Sequence, residues 1–153
     1  MQNGVAILDF SPSGKLLASV GAGDHPSMAI YHWKERSIIF SSVCCSSKLV
    51  LSCHFLGSDD LIGTCGDCFV HFWSKIDNSN VYRKSVGVFG RKKFKKQVMT
   101  CVKKCDEYIL AGSSTGEIHV WEGRTCTRSI QSPCYGSIVS FNFACFNVYE
   151  LLI

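Results

Sequence analysis

The densest group of charged side chains in this 153-residue sequence is a short basic run, which has an aromatic residue inside it. Five of the sixteen Lys and Arg residues fall within six positions: Arg91, Lys92, Lys93, Lys95 and Lys96. Such a run can attract an acidic protein surface or a nucleic-acid backbone. The alternative is a solvated connecting loop without a partner. Because surface loops commonly carry binding, we interpret the run as a candidate partner-binding site. No recognised nucleic-acid motif accompanies it, which argues against nucleic acid as the partner.

The cysteines could support metal or redox chemistry, and the C-x-x-C at Cys65–Cys68 is the natural candidate. A zinc site would need a second ligand pair at a suitable spacing. The other candidate pair, Cys101 and Cys105, lies in a different unit of the sequence repeat described below. A thioredoxin-like dithiol would need a βαβ context, and we predict no helix here. We therefore interpret these cysteines as core and turn residues, and we expect no metal and no cofactor.

Two histidines occupy matching places, since His71 and His119 each stand two residues before a tryptophan. A position that recurs along the chain argues for architecture, because a catalytic or metal site is built only once. No G-x-S-x-G, phosphate-binding loop or paired-carboxylate arrangement is present. We therefore predict that the chain is not an enzyme and has no small-molecule substrate.

A hairpin pattern that ends in tryptophan occurs three times, at Leu16–Trp33, Leu61–Trp73 and Tyr108–Trp121. Each copy consists of an apolar run, a turn with glycine, and a second apolar run that closes on Trp33, Trp73 or Trp121. Trp33 and Trp73 are 40 residues apart, and Trp73 and Trp121 are 48 apart. A four-stranded unit that recurs every ~40–45 residues is typical of a β-propeller blade.

The sequence therefore predicts an all-β fold with three four-stranded antiparallel blades, at about 5–43, 48–90 and 97–131. The predicted strands carry apolar residues on both faces, as expected for sheets covered on both sides. Propeller rings contain ~4–8 blades. We therefore expect residues 4–131 to be an incomplete propeller from a larger protein.

The remaining segment, 132–153, starts like the first strand of a fourth blade at Gly136–Phe141 and then diverges. It has no further turn, second strand or closing Trp. The sequence shows no secretory leader and no run of 18 apolar residues. We expect a reducing, cytoplasmic location without membrane contact.

Three stretches resemble the WD-repeat family, and more narrowly the echinoderm microtubule-associated protein-like proteins. They are Gly4–Pro12 leading to Trp33, Val50–Phe55 leading to Trp73, and Arg83–Gly90 with the basic run after it. The first stretch is generic to WD repeats, whereas the third is more specific to the narrower family. The resemblance covers residues 4 to about 131.

This resemblance implies a non-enzymatic, microtubule-associated scaffold located in the cytoplasm and on the cytoskeleton. Its partners would be proteins, including tubulin, whose acidic tails suit the basic run. The alternative is a WD-repeat adaptor of a ciliary or signalling complex that does not contact tubulin directly.

The resemblance also implies a hydrogen-bonded set that braces each blade: a Trp, a Ser or Thr of the second strand, a turn Asp and a preceding His. Thr64, Asp67 and Trp73 fit this set in the second blade. In the third blade, Gly112 stands where we expect the hydroxyl residue, and the first blade offers Ser19 across a longer turn.

Overall fold

The computed structural model describes residues 4–45, 49–90, 97–133 and 136–141, and all regular structure in them is β. The strands form three sheets, and each contains a four-stranded antiparallel meander of consecutive strands. The predicted all-β fold of propeller blades is confirmed, and the described residues form an open stack rather than a closed ring. Within these ranges no helix is long and apolar enough to cross a membrane.

The first sheet corresponds to the first predicted blade. Its strands are β1 (Val5–Phe10), β2 (Leu16–Gly21), β3 (Ser27–His32) and β4 (Ser37–Val43). The turn after β1 closes through a hydrogen bond of 2.8 Å from the Gly14 N–H to the Ser11 carbonyl oxygen. Gly14 has φ +68°, a left-handed conformation that glycine adopts without strain.

The second sheet lies in the middle of the stack. Its strands are β5 (Val50–Phe55), β6 (Leu61–Gly66), β7 (Phe69–Lys75) and β8 (Tyr82–Val86). Only Asp67 and Cys68 separate β6 from β7, so this is the tight hairpin that the sequence predicts.

The third sheet contains one strand more than the other two. Its strands are β9 (Val88–Phe89), β10 (Met99–Cys105), β11 (Tyr108–Ser113), β12 (Glu117–Glu122) and β13 (Thr125–Gln131). The short β9 pairs in parallel with β13 at the outer edge of the sheet. This differs from the prediction from the sequence, in which residues 48–90, and so Val88 and Phe89, belong to the second blade.

Gly87 is the point at which the chain leaves the second sheet for the third. Its N–H donates to the Val70 carbonyl oxygen over 2.8 Å, and that oxygen would lie 2.8 Å from a Cβ at this position. The Trp121 ring would be equally close. The chain can therefore cross here only because Gly87 lacks a side chain.

The core forms two layers, one on each face of the second sheet. Trp73 and Ile62 face the first sheet, where Ile30 and Met28 are fully buried. Residues including Cys65, Val70 and Phe72 face the third sheet and pack with Trp121. The two outer sheets therefore cover the middle one on both sides.

The first strands of the sheets lie side by side, with β5 between β1 and β10. Side chains tie them together: the Phe55 N–H donates to Asp9 Oδ2 over 2.8 Å, and the Val102 N–H donates to Ser52 Oγ over 3.3 Å. Each first strand also has a register shift at the same place, between Val5 and Ile7, Val50 and Ser52, and Met99 and Cys101. This repeated irregularity fixes which residues of the three sheets correspond.

The described part of the tail, 136–141, forms no strand. It lies against the third sheet, where the Ile138 N–H donates to the Ser113 carbonyl oxygen over 3.0 Å. Residues 134–135 and 142–153 of the divergent tail are outside the described residues. A fourth blade in 132–153 thus stays a prediction.

We expect Gly87→Ala to destabilise the chain by roughly 1–3 kcal/mol, because the added methyl group would overlap the Trp121 ring and the Val70 carbonyl oxygen. Urea denaturation followed by tryptophan fluorescence measures this change in the free energy of unfolding. Gly4→Ala is the matched control, since nothing lies within 4 Å of a Cβ there. Equal stability of the two variants would contradict the crossing described at Gly87.

Candidate functional site

The predicted partner-binding residues, Arg91 to Lys96, lie outside the described residues, but the structure describes both flanks. On the N-terminal side, the Phe89 ring packs edge-on against Trp121 and His119, with ring centroids 4.8 and 5.7 Å apart. On the C-terminal side, Gln97 is buried, and its Nε2 lies 2.9 Å from His119 Nε2. Both flanks of the basic run therefore contact His119.

Gln97 is a buried member of a partly buried hydrogen-bond network in the third sheet. Its Nε2 donates to Glu117 Oε2 over 2.7 Å, and its Oε1 accepts a hydrogen bond from the Thr115 hydroxyl. Ser113 Oγ lies 3.0 Å from Thr115 Oγ1 and accepts the Glu117 N–H over 3.0 Å. These contacts connect the β11–β12 turn to the residue that follows the basic run.

Sequence reasoning found His119 as an architectural residue but missed Gln97 and Ser113. Hydroxyl residues in a hairpin turn are common, so Ser113 gives no distinctive signal. Gln97 stands outside the strands and touches the turn only after β10, β11 and β12 have paired.

Burial lowers the pKa of His119, and the nearby Glu117 carboxylate partly opposes this effect. His119 Nε2 lies 3.5 Å from Glu117 Oε2, and the histidine is only 4% exposed. The neutral imidazole is therefore favoured in the folded chain.

In the second sheet, the brace predicted from the resemblance has a buried hydrogen bond at its centre. Trp73 Nε1 donates to Thr64 Oγ1 over 3.0 Å, and both side chains are almost fully buried. Asp67, the third predicted member, lies in the turn, where its Oδ1 accepts from Cys68 Sγ over 3.2 Å. The backbone of Asp67 also forms an isolated antiparallel β-bridge with Val98. This bridge brings the turn close to the start of β10.

In the first sheet, the register places Tyr31 where Trp73 lies in the second, because Tyr31 pairs with Leu17 as Trp73 pairs with Ile62. The Ser19 hydroxyl donates to the Tyr31 hydroxyl oxygen over 3.3 Å. Trp33 lies two residues farther along, beyond the end of β3, and is 41% exposed. Its indole donates to the Gly14 carbonyl oxygen over 2.9 Å. The structural position of Trp33 thus differs from that of the other two tryptophans, although the sequence pattern aligns all three.

In the third sheet, the residue that corresponds to Thr64 is Ala111, because Ala111 pairs with His119 as Thr64 pairs with His71. The resemblance places the missing hydroxyl residue at Gly112. The structure places it one residue earlier, at Ala111. Ala111 offers no acceptor, and Trp121 Nε1 is buried without a hydrogen-bond partner among the described residues. Only the middle sheet combines a tryptophan with a hydroxyl residue at these positions.

The cysteines of the C-x-x-C differ in their environments, since Cys65 is fully buried and Cys68 is half-buried in the turn. Burial is the main cause of the raised pKa of the Cys65 thiol. In the part of the chain that the structure describes, no group of three or more His, Cys, Asp and Glu side chains could hold a metal ion.

Comparison with known proteins finds distant similarity to WD-repeat proteins. The chain is 28% identical over 139 residues to echinoderm microtubule-associated protein-like 2 of Mus musculus, an alignment that covers 88% of this chain. It is 29% identical over 127 residues to echinoderm microtubule-associated protein-like 4 of Xenopus tropicalis, which covers 81% of this chain. The chain is a distant relative of these WD-repeat proteins.

Another WD-repeat relative, cilia- and flagella-associated protein 44 of Mus musculus, is 28% identical over 140 residues, or 87% of this chain. The chain spans 21% of the length of the first of these relatives, 13% of the second and 8% of the third. No profile of a known protein family matches the chain.

We expect Thr64→Val to destabilise the chain by about 1–3 kcal/mol, because it leaves the buried Trp73 N–H without an acceptor. Ala111→Ser is the reciprocal variant, since it adds a hydroxyl where Trp121 Nε1 lacks one. We expect it to stabilise the chain by about 1 kcal/mol. Denaturant unfolding measures both changes. A neutral Thr64→Val would show that the hydrogen bond contributes nothing to stability.

We expect the stability of the chain to fall as the pH drops below about 6.5, the ordinary pKa of histidine. The folded-state pKa of His119 is below that value, so the unfolded chain takes up a proton first and acid favours unfolding. His119→Gln should flatten this dependence between the unfolded-state and folded-state pKa values. Thermal unfolding across a pH series compares this variant with the parent chain, and identical profiles would exclude His119 as the cause.

Proposed function

We propose that the chain is part of a non-enzymatic WD-repeat scaffold that contacts microtubules through its basic run. The observation that carries this proposal is the similarity to echinoderm microtubule-associated protein-like proteins, which extends over most of the three-sheet stack. The names of these relatives describe microtubule association. We also propose the domain boundaries 4–131 for the incomplete propeller and 132–153 for the divergent tail.

The charge around the run supports an acidic partner. Arg124 is exposed in the β12–β13 turn, and its carbonyl oxygen accepts the Val88 N–H over 2.8 Å. This exposed arginine therefore lies beside the strand that leads into Arg91–Lys96. The acidic tails of tubulin would provide the opposite charge. A protein partner, rather than a small molecule or a membrane, and a cytoskeletal location in the cytoplasm complete the proposal.

A second candidate function is that of a WD-repeat adaptor in a ciliary complex without direct tubulin contact. The observation that favours it is the similarity to cilia- and flagella-associated protein 44, which has the same identity and covers a similar share of this chain. The two candidates differ in whether the chain itself binds to a microtubule.

We expect the chain to pellet with microtubules at low salt and to dissociate as salt rises, because salt screens exposed charges. Charge reversal of Lys92, Lys93, Lys95 and Lys96 to Glu should weaken binding by on the order of tenfold or more. Cosedimentation across a salt series measures both effects. Microtubules whose acidic tails have been removed by subtilisin should bind the parent chain as weakly as intact microtubules bind the reversed variant.

The matched control reverses four exposed basic residues elsewhere: Lys15, Lys34, Arg36 and Arg128. If this control loses as much binding as the first variant, the contact depends on net charge and not on the basic run. If the parent chain is folded but fails to pellet at low salt, direct microtubule contact is excluded and the adaptor is favoured.

A further inference from the structure

The chain places one of its own short segments on the open face of the third sheet. In this segment, residues 136–141, Ile138 uses both of its backbone polar groups. Its N–H donates to the Ser113 carbonyl oxygen over 3.0 Å. Its carbonyl oxygen accepts from the Thr100 hydroxyl and from Cys101 Sγ, the latter over 3.4 Å. Contacts of this kind recognise a peptide backbone and leave the choice of side chain to the surface beneath it.

The surface beneath Ile138 is shaped by Gly112. A Cβ at Gly112 would lie 2.7 Å from both Ile138 Cγ2 and Cys101 Sγ. The isoleucine side chain therefore occupies space that any other residue at position 112 would fill. Cys101 is 5% exposed, whereas the neighbouring Val139 of the segment is 80% exposed. Ile138 is thus an anchor of the segment, whereas Val139 is mostly exposed.

The register shift of β10 supplies the hydroxyl group. Met99 pairs with Ser113 and Cys101 pairs with Gly112, so Thr100 has no partner in the ladder and its side chain reaches Ile138. At the corresponding place in the other sheets stand Ala6 and Leu51, which cannot donate such a hydrogen bond. The combination of Thr100 and Gly112 is therefore particular to the third sheet.

We propose that Thr100, Cys101, Gly112 and Ser113 form a groove for a short peptide with a β-branched aliphatic anchor, and that the chain's own segment 136–141 occupies it. The segment covers the Cys101 thiol while it is bound. Residues 139–141 also form one wall of a cavity of about 200 Å³ that is partly open to solvent and reaches Ile7 and His54. Release of the segment would therefore open both the thiol and this cavity.

The Cys101 thiol reports on occupancy of the groove. Burial raises the pKa of this thiol, and the covered sulfur is inaccessible, so alkylation by iodoacetamide should be slow. In the full chain, we expect Ile138→Asp to speed Cys101 alkylation by about tenfold or more, a factor that corresponds to about 1.4 kcal/mol. Ser137→Asp adds the same charge one residue before the anchor, at an exposed position that does not line the cavity, and should leave the rate unchanged. Peptide mapping by mass spectrometry gives the rate for each cysteine.

Cys65, which is fully buried in the middle sheet, serves as the internal standard. Global unfolding would expose Cys65 and Cys101 together, whereas release of the segment would expose Cys101 alone. If Ile138→Asp unfolds the chain, Ile138→Gly is used instead, because it removes the anchor without adding a charge. The quantity compared is the ratio of the Cys101 alkylation rate to the Cys65 alkylation rate. Equal ratios in the parent chain and in the folded variant would overturn the proposal.

A synthetic peptide with the sequence of residues 136–141 tests the groove directly. Added to the Ile138→Asp chain, it should protect Cys101 again in a saturable manner, while the peptide that itself carries Ile138→Asp should not. Failure of the parent peptide to protect Cys101 would contradict a peptide groove. Protection of the parent chain that decreases on dilution would show that a second copy covers the face, which would also overturn occupancy by the chain's own segment.

Discussion

The structure depends on the burial of the middle sheet between the other two. A four-stranded sheet with apolar residues on both faces cannot keep them from water by itself, and here each face of the second sheet is covered by a neighbour. Trp73 and Ile62 are buried on one side, and Cys65 and Phe72 on the other. Stability is therefore a property of the stack and not of any single sheet. The hydrogen bonds from Phe55 to Asp9 and from Val102 to Ser52 hold the three first strands in register with one another.

Because both faces of a sheet are buried, its buried polar groups need hydrogen-bond partners within the protein. An indole N–H removed from water costs free energy unless it finds an acceptor. The middle sheet supplies Thr64 for Trp73, and the first sheet pairs the hydroxyl groups of Ser19 and Tyr31. The third sheet has Ala111 instead and has its polar network beside the β11–β12 turn, where Gln97 contacts His119. The three repeats therefore share one fold but differ in the hydrogen bonds that their buried polar groups form.

The third sheet is also where the chain departs most from a regular repeat. It takes an additional strand from the segment after the second sheet, holds both flanks of the basic run through His119, and receives residues 136–141 on its open face. Both of our functional hypotheses, the acidic partner of the basic run and the peptide groove, therefore depend on this sheet. The second sheet packs against it, and the first sheet packs against the second.

The sequence by itself determined the three four-stranded antiparallel units, because apolar runs separated by tight turns are a local signal. The distant WD-repeat relationship came from the resemblance of three stretches. It also identified Thr64 and Trp73 as candidates for one brace. Only the tertiary structure decided that Tyr31 rather than Trp33 corresponds to Trp73, since strand register depends on pairing across a longer turn. The same holds for β9, which leaves its own sheet because Gly87 fits beneath Trp121, and for Gln97, which meets His119 only after the strands between them have paired. Contacts between residues distant in sequence cannot be inferred from local patterns, because the packing that creates them belongs to the whole stack.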